Sequence, residues 1–153
     1  SMGKLSEAIK CYEIVLHLDP KNFKAHKNRG LAYHELKCLP EALDSFNKAL
    51  AVDRSYAMAH FNKGQVLRDM ERFHAALVAF DEAITLKSDY APVHYQKGKT
   101  YFTMNDYEKA IACYDQALKL DPKVKKYEEA RSEAIAARDG DELYPERKYL
   151  EDQ

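Results

Sequence analysis

A chain of 153 residues is the length of one ordinary domain, and its 46% hydrophobic and 32% charged residues exclude a largely disordered chain. The 24 basic and 25 acidic side chains leave a formal charge of -1, which argues against a nucleic-acid partner, because such proteins gain affinity from surplus Lys and Arg. No stretch approaches the roughly 18 apolar residues of a membrane-spanning helix, no signal peptide is evident, and the cysteines form no CxxC pair. We therefore expect a cytoplasmic chain with free thiols and no membrane partner.

In chain order, the first predicted element is one helix over residues 3–22, and units of two helices each follow it. Few glycines and prolines interrupt the chain, and apolar residues recur at helical spacing, which predicts an all-α protein. Each unit contains a short break that turns the chain into an antiparallel helix pair. The predicted breaks are Lys37–Cys38, Glu71–Arg72 and Asn105–Asp106. A closing helix over residues 123–138 and a polar tail over residues 139–153 end the chain.

The units repeat one another at a fixed step. Gly30, Gly64 and Gly98 are 34 residues apart, and the same step aligns small and large apolar residues. The aligned sets are Ala42, Ala76 and Ala110; Phe46, Phe80 and Tyr114; and Ala49, Ala83 and Ala117. A period of this length is typical of stacked helical hairpins. The recurring glycines and alanines are small and let paired helices approach closely, while the aromatic rings fill the gaps around them.

This pattern resembles the tetratricopeptide repeat (TPR), whose 34-residue unit carries W-x2-L-G-x2-Y, A-x3-F, A and P. Counted from Phe23, Ala57 and Ala91, the recurring glycines take position eight and the aromatic residues take position twenty-four. The resemblance implies a right-handed superhelical solenoid of antiparallel helix pairs. Its parts would be a half-repeat over 3–22, full repeats over 23–56, 57–90 and 91–124, and the capping helix over 123–138, together a TPR domain over 3–138.

Departures from the repeat pattern occur at positions four and seven, and Arg54 and Ser88 replace the repeat-ending proline. Position four carries His26, His60 and His94 instead of a large aromatic residue, and position seven carries basic residues instead of leucine. Residues one repeat apart lie on different helices, whose axes are about 8–10 Å or more apart, too far for three imidazoles to share one zinc ion. We predict no metal and no cofactor. The sequence also contains no recognised catalytic motif, so we predict that the chain is not an enzyme.

In the TPR family the first helices of successive repeats line a concave groove, and the resemblance places positions two, five, six, nine, twelve and thirteen there. The ligand-binding residues that this implies are Lys27, Asn28, Leu31, Phe61, Asn62, Gln65, Arg68, Tyr95, Gln96, Lys99 and Phe102, with His34 also at position twelve. Aromatic rings supply rigid contact area, and amides both donate and accept hydrogen bonds. This mixture suits an extended peptide. The basic residues among the set favour an acidic one.

Two known modes of peptide binding by TPR proteins can be compared with the predicted groove residues. The amides at position six, Asn28, Asn62 and Gln96, are similar to the asparagine ladder in the repeats of O-linked GlcNAc transferase, although polar residues on a helix face can be merely solvated. The carboxylate clamp of chaperone-binding TPR proteins is disfavoured, because Leu31, Pro92 and Gln96 stand where Asn, Lys and Arg are required. We also expect that changing Asn28 and Asn62 to alanine weakens peptide binding without affecting folding.

Three functions remain open at this point: a module that binds a protein or peptide partner, an oligomerisation or assembly segment of a larger scaffold, and a substrate-presenting segment of a larger enzyme. The first is preferred. The half-repeat at the start of the chain lacks the helix that would pair with it, so Leu5, Ile9 and Tyr12 are expected to be uncovered and to cause self-association. Either another molecule or the tail of a neighbouring copy is expected to cover them.

Overall fold

The computed structural model describes residues 1–140, and the residues it describes form helices connected by short turns, with no strand. The helices are α1 (Met2–Leu18), α2 (Phe23–Glu35), α3 (Leu39–Val52), α4 (Ala57–Asp69), α5 (Phe73–Leu86), α6 (Ala91–Thr103), α7 (Tyr107–Leu120) and α8 (Lys125–Asp139). The predicted all-α class is confirmed, and the three predicted breaks fall between paired helices. Most of the predicted polar tail, residues 141–153, lies outside the described residues.

The chain divides into two compact units. The first, Ser1–Ser88, contains α1 to α5, in which each helix packs on the next and α2 also touches α4. The second begins at Asp89 and contains α6, α7 and α8, each of which contacts the other two. The pairs α2–α3, α4–α5 and α6–α7 are therefore helical hairpins. Within the part of the chain that is described, no helix has the length and apolar content needed to cross a membrane.

The three hairpin turns share one backbone conformation, which appears at Lys37 (φ 63°), Glu71 (φ 60°) and Asn105 (φ 62°). In the first turn the N–H of Cys38 donates to the carbonyl oxygen of Tyr33 at 2.9 Å, and the N–H of Lys37 donates to that of His34 at 3.0 Å. These two bonds define a Schellman motif, whose left-handed residue is usually glycine. The same pair of bonds recurs in the other two turns.

In the interior of each hairpin, an aromatic ring of the second helix lies very close to the recurring glycine of the first helix. A Cβ atom added to Gly64 would lie 2.5 Å from Cε1 of Phe80, and one added to Gly98 would lie 2.5 Å from Cε1 of Tyr114. Phe80 is fully buried, and Tyr114 is nearly so. The proposed reason for glycine at position eight is confirmed, because the aromatic ring of the second helix occupies the space of a side chain on the first.

The uncovered surface of α1 differs from the expectation. Ile9 is only 7% exposed, and Leu5 and Tyr12 are half-buried, because α2 packs on this side of α1. The prediction of an uncovered side chain was wrong for Ile9, whereas Leu5 and Tyr12 are covered only in part. The exposed apolar residues lie elsewhere on the helix, with Ile14 63% exposed and Leu18 81% exposed. A single helical stripe cannot show which of its sides the next repeat covers.

The last helix, α8, begins at Lys125 rather than at residue 123 and ends at Gly140, whose φ of 73° gives it a left-handed cap. Its buried residues are Tyr127, Ala134 and Ala137. Counted from Lys125, α8 occupies the register of the first helix of a further repeat. It covers α7 and α6 within the second unit.

Candidate functional site

The predicted binding residues divide between the two units. Lys27, Asn28 and Leu31 lie on α2, and Phe61, Asn62, Gln65 and Arg68 lie on the neighbouring α4, all in the first unit. Tyr95, Gln96, Lys99 and Phe102 lie on α6 in the second unit. The contact between α2 and α4 brings the first group together on adjacent helices. We call the group on α2 and α4 the α2–α4 face.

On α2, the predicted residues are open to solvent to different degrees. Leu31 is 41% exposed, which is large for an apolar side chain, and Asn28 is half-buried. The Nζ atom of Lys27 lies 5.7 Å from the centre of the Tyr56 ring, a cation–π distance. Tyr56 precedes α4 and packs edge-on against Phe23, with ring centroids 4.9 Å apart. The Lys27 ammonium group is therefore held at the start of α4.

On α4, two of the predicted residues are mostly buried. Phe61 is 6% exposed and its ring centroid lies 6.2 Å from that of Phe80, inside the α4–α5 hairpin. Asn62 is 8% exposed. Gln65 and Arg68 are half-buried and retain contact with solvent. Phe61 thus contributes mainly to the hairpin interior, and the accessible part of the face is formed by Gln65 and Arg68 on this helix.

A polar link joins the other ends of α2 and α4. The Nε2 atom of His34 lies 2.6 Å from Oδ2 of Asp69, and Nη2 of Arg68 lies 3.7 Å from Oδ1 of the same carboxylate. Asp69 therefore offsets part of the positive charge of Arg68, which weakens its expected preference for acidic ligands. Sequence reasoning missed Asp69 and Tyr56. Asp69 is at position thirteen, which the family pattern assigns to the groove, so the register would have identified it.

The α6 residues of the second unit centre on Tyr95. Its ring centroid lies 5.9 Å from that of Tyr114 and 5.0 Å from that of Tyr127. The ammonium groups of Lys99 and Lys126 lie 5.6 Å and 5.2 Å from the centre of the Tyr95 ring. Lys126 and Tyr127, both on α8, were not among the predicted residues. Reading α8 as one more first helix would have placed them beside α6.

Burial raises the pKa of Tyr127 above its ordinary value, and the nearby carboxylate of Asp121 adds to the effect. This phenol therefore remains neutral through the physiological range. The remaining α6 residues make local contacts: Thr100 Oγ1 donates to the backbone oxygen of Gln96 at 2.9 Å, and Phe102 packs edge-on against Tyr107 with ring centroids 5.2 Å apart. The accessible chemistry of α6 combines a cationic group at Lys99 with partly covered aromatic rings.

Two of the histidines at position four, His26 and His60, have hydrogen bonds to the backbone. His26 Nε2 lies 2.7 Å from the carbonyl oxygen of Pro20, and His60 Nε2 lies 2.9 Å from that of Arg54, so each ring donates to the backbone of the preceding turn. Among residues 1–140, no group of three or more His, Cys, Asp or Glu side chains is arranged to hold a metal ion.

Family models agree with the geometry of the helical hairpins. Models described as tetratricopeptide repeat match residues 23–56, 57–90 and 91–124, and one described as TPR repeat matches residues 1–37. The chain therefore belongs to the tetratricopeptide repeat family, whose repeats generally serve as non-catalytic modules for protein–protein interaction. Among curated protein sequences, none matches the chain.

Several solved structures are similar to this fold. The crystal structure of MamA protein is 26% identical, with a TM-score of 0.83, and the match covers 89% of this chain and 74% of that one. MamA from Desulfovibrio magneticus RS-1 is 22% identical, with a TM-score of 0.84 and coverage of 97% and 84%. The first TPR of Spaghetti (RPAP3), bound to the HSP90 peptide SRMEEVD, is 20% identical, with a TM-score of 0.73 and coverage of 78% and 94%. The last two likenesses concern the fold alone.

Proposed function

We propose that this chain is a non-catalytic interaction module that binds an extended peptide on the first helices of its repeats. The observation that supports the proposal best is the α2–α4 face of the first unit. There an exposed leucine, Leu31, and the amides of Asn28 and Gln65 lie between two polar contacts, Lys27 with Tyr56 at one end and His34 with Asp69 at the other. The face combines an apolar contact with groups that pair with a peptide backbone.

The chemistry of this face favours an extended segment over a globular surface. A side-chain amide both donates and accepts, so it can pair with the N–H and the C=O of one peptide unit. Leu31 offers a contact for an apolar side chain, and Lys27 attracts an acidic one at long range. The RPAP3 domain is a TPR that holds a short acidic peptide, and by analogy a peptide partner is proposed for the present chain. The carboxylate clamp itself is not proposed.

The Asn28→Ala variant tests this proposal. A peptide selected by the wild-type chain from a degenerate peptide library is expected to bind the variant about fivefold more weakly, because one hydrogen bond to a backbone group contributes about 1 kcal/mol. Fluorescence anisotropy with the labelled peptide measures the change. Asn47→Ala is the matched control, since Asn47 is an exposed asparagine on α3, the second helix of the same hairpin.

Equal affinity of wild type and Asn28→Ala, with unchanged helical circular dichroism, would show that Asn28 is only a solvated surface residue. Asn62→Ala is a poorer probe than we expected from the sequence, because Asn62 is 8% exposed and its loss can change folding as well as binding. Thermal denaturation of that variant separates the two effects.

A second candidate function, assembly with a further copy of the chain, is favoured by the apolar residues that α1 exposes. Ile14 and Leu18 are one turn apart, and Val15 between them is 38% exposed. The residue at the position of Ile14 in the next repeat is Lys48, which is charged and half-exposed. The apolar character at this point is therefore particular to α1. The third possibility, a substrate-presenting segment of an enzyme, has no comparable observation in its favour.

If α1 mediates self-association, Ile14→Lys is expected to shift a concentration-dependent sedimentation coefficient to that of a monomer, because it places a charge in the apolar contact. The helix tolerates lysine there, since Lys48 occupies the same repeat position. Val78→Lys on α5 is the control, because Val78 is 62% exposed and lies outside the contact. A wild-type chain that is monomeric at every concentration would eliminate the assembly function. Removal of residues 141–153 tests separately whether the tail takes part.

A further inference from the structure

A pocket adjoins His26 in the first unit, away from the predicted binding residues of the α2–α4 face. It has a volume of about 600 Å³ and lies between the ends of α1 and α3 and the first half of α2. Leu16 on α1 and Ala51 and Val52 on α3 provide apolar walls. The volume falls within the range of about 300–1,000 Å³ that is typical of small-molecule sites. We call this space the His26 pocket.

The charged residues of the His26 pocket are all basic. Lys21, in the turn before α2, Arg29 on α2 and Lys48 on α3 line it, and no carboxylate from residues 1–140 does. The Nε atom of Arg29 donates to Oγ of Ser45 at 3.0 Å, which fixes the guanidinium group and leaves its terminal nitrogens for other acceptors. Lys48 pairs with Asp44 at 2.9 Å, and its side chain remains 53% exposed. Three cations around an apolar concavity create a positive potential inside it.

His26 forms part of the wall of the pocket. Position four holds a large aromatic residue in the TPR pattern, and the smaller imidazole leaves room beside it. The ring is 6% exposed and is oriented by its hydrogen bond to the carbonyl oxygen of Pro20. Its other nitrogen, Nδ1, is buried and has no hydrogen-bond partner within residues 1–140. Because Nε2 carries the donated hydrogen, Nδ1 is an acceptor and can pair only with an O–H or N–H of a ligand, so the attraction for an anion comes from the basic side chains.

The next repeat provides an internal comparison. A second pocket, of about 520 Å³, adjoins His60, and Arg54 and Lys63 line it, although its apolar lining comes from other repeat positions. Glu82 also lines this second pocket, at the repeat position that Lys48 occupies in the first. The carboxylate opposes the two cations there and repels an anion. The His26 pocket therefore differs from the His60 pocket in having only basic residues among its charged lining. The TPR fold alone does not produce this difference.

We propose that the His26 pocket binds a small organic anion, a carboxylate or a phosphate monoester with an aliphatic body. The charged group lies among Lys21, Arg29 and Lys48, where charge-assisted hydrogen bonds form, and the aliphatic body contacts Leu16 and Val52. This inference is independent of the proposed peptide binding, since none of the residues of the α2–α4 face lines the pocket.

The first test is a ¹H–¹⁵N NMR titration of the full chain with octanoate, octyl phosphate and octylammonium. Either anion is expected to shift backbone signals at the start of α2 and the end of α3, with saturation at millimolar concentration, whereas octylammonium leaves these signals in place. The anion that binds more tightly identifies the head group. Equal shifts with the cation, or no saturation with either anion, would overturn the proposal. Inorganic phosphate measures the contribution of the head group alone.

The second test uses charge reversal at Lys48. Lys48→Glu reproduces the residue that Glu82 places in the neighbouring pocket, so the hairpin is expected to fold, and affinity for the better anion should fall about tenfold. Lys10→Glu on the exposed part of α1 is the matched control, because it changes the net charge by the same amount away from the pocket. An equal loss in both variants would mean that only the overall charge matters, which contradicts a defined site.

A third variant, His26→Phe, restores an aromatic residue at position four and narrows the pocket beside α2 without changing its charge. Binding of the anion should weaken while the helical circular dichroism is retained. Full binding by this variant would place the ligand elsewhere and would refute the assignment.

Discussion

Replacing Phe46 with alanine is expected to destabilise the first unit by about 3–5 kcal/mol, the usual cost of removing a buried aromatic ring from a core. Phe46 is fully buried on α3 and forms a cluster with Ala42 and with Val66 of α4. Its ring also fills the space beside Gly30 of α2. The substitution therefore loosens packing of α3 against two helices. Urea denaturation followed by circular dichroism measures the free energy of unfolding.

Val78→Ala is the control for Phe46→Ala. Val78 is 62% exposed on α5, so its truncation is expected to change stability by less than about 0.5 kcal/mol. Because neighbouring repeats contribute to stability locally, hydrogen exchange of Phe46→Ala should increase most in α2, α3 and α4. A loss for Phe46→Ala as small as that for Val78→Ala would contradict the arrangement of the α2–α3 hairpin described above.

Gly64→Val is expected to destabilise the chain by about 1–3 kcal/mol, the usual cost of overpacking a core. The added Cβ would lie 2.5 Å from Cε1 of Phe80 and 2.6 Å from Cδ1 of the same ring, so the ring or the whole helix must move. Without this contact the substitution would be slightly favourable, because in a helix interior glycine costs about 1 kcal/mol relative to alanine and valine costs less than glycine. A loss of stability in Gly64→Val would therefore show that the Phe80 ring packs directly against Gly64.

Gly3→Val is the matched control for Gly64→Val, since Gly3 also lies in a helix but its added Cβ would meet no described atom within 4 Å beyond its chain neighbours and the adjoining helix backbone. Its stability should be unchanged or slightly higher. Combining Gly64→Val with Phe80→Leu gives a coupling measurement, because a smaller side chain on α5 relieves part of the clash. Strictly additive effects of the two substitutions would show that Gly64 and Phe80 do not interact.

Periodicity in the sequence determined most of the fold. The recurrence of Gly30, Gly64 and Gly98 every 34 residues located the helices and their breaks, because each small residue permits a contact that a large one on the paired helix completes. Local packing within a hairpin depends on residues close in sequence, so a repeated pattern contains the information needed to predict it. Numbering the residues along the 34-residue TPR unit then predicted which helix faces bind a ligand.

Three features depended on contacts between helices that this pattern does not specify. The turns at Lys37, Glu71 and Asn105 adopt a left-handed conformation without glycine, because the hydrogen bonds of the Schellman motif and the packing of the paired helices hold them there. Phe61 has a groove position in the register, yet its ring packs on Phe80 within the hairpin. α2 covers Ile9 on α1 and leaves Ile14 open.

The candidate site shows the same division between sequence and tertiary structure. The resemblance to the TPR pattern predicted that α2, α4 and α6 carry the binding residues, because it assigns repeat positions to the groove, and this stays a prediction. The sequence could not show that Asp69 meets His34 at 2.6 Å or that Lys126 lies over Tyr95, because each pair joins helices that are distant in sequence. How much of a side chain remains accessible depends on how closely the neighbouring helix approaches, and only the packed structure sets that distance.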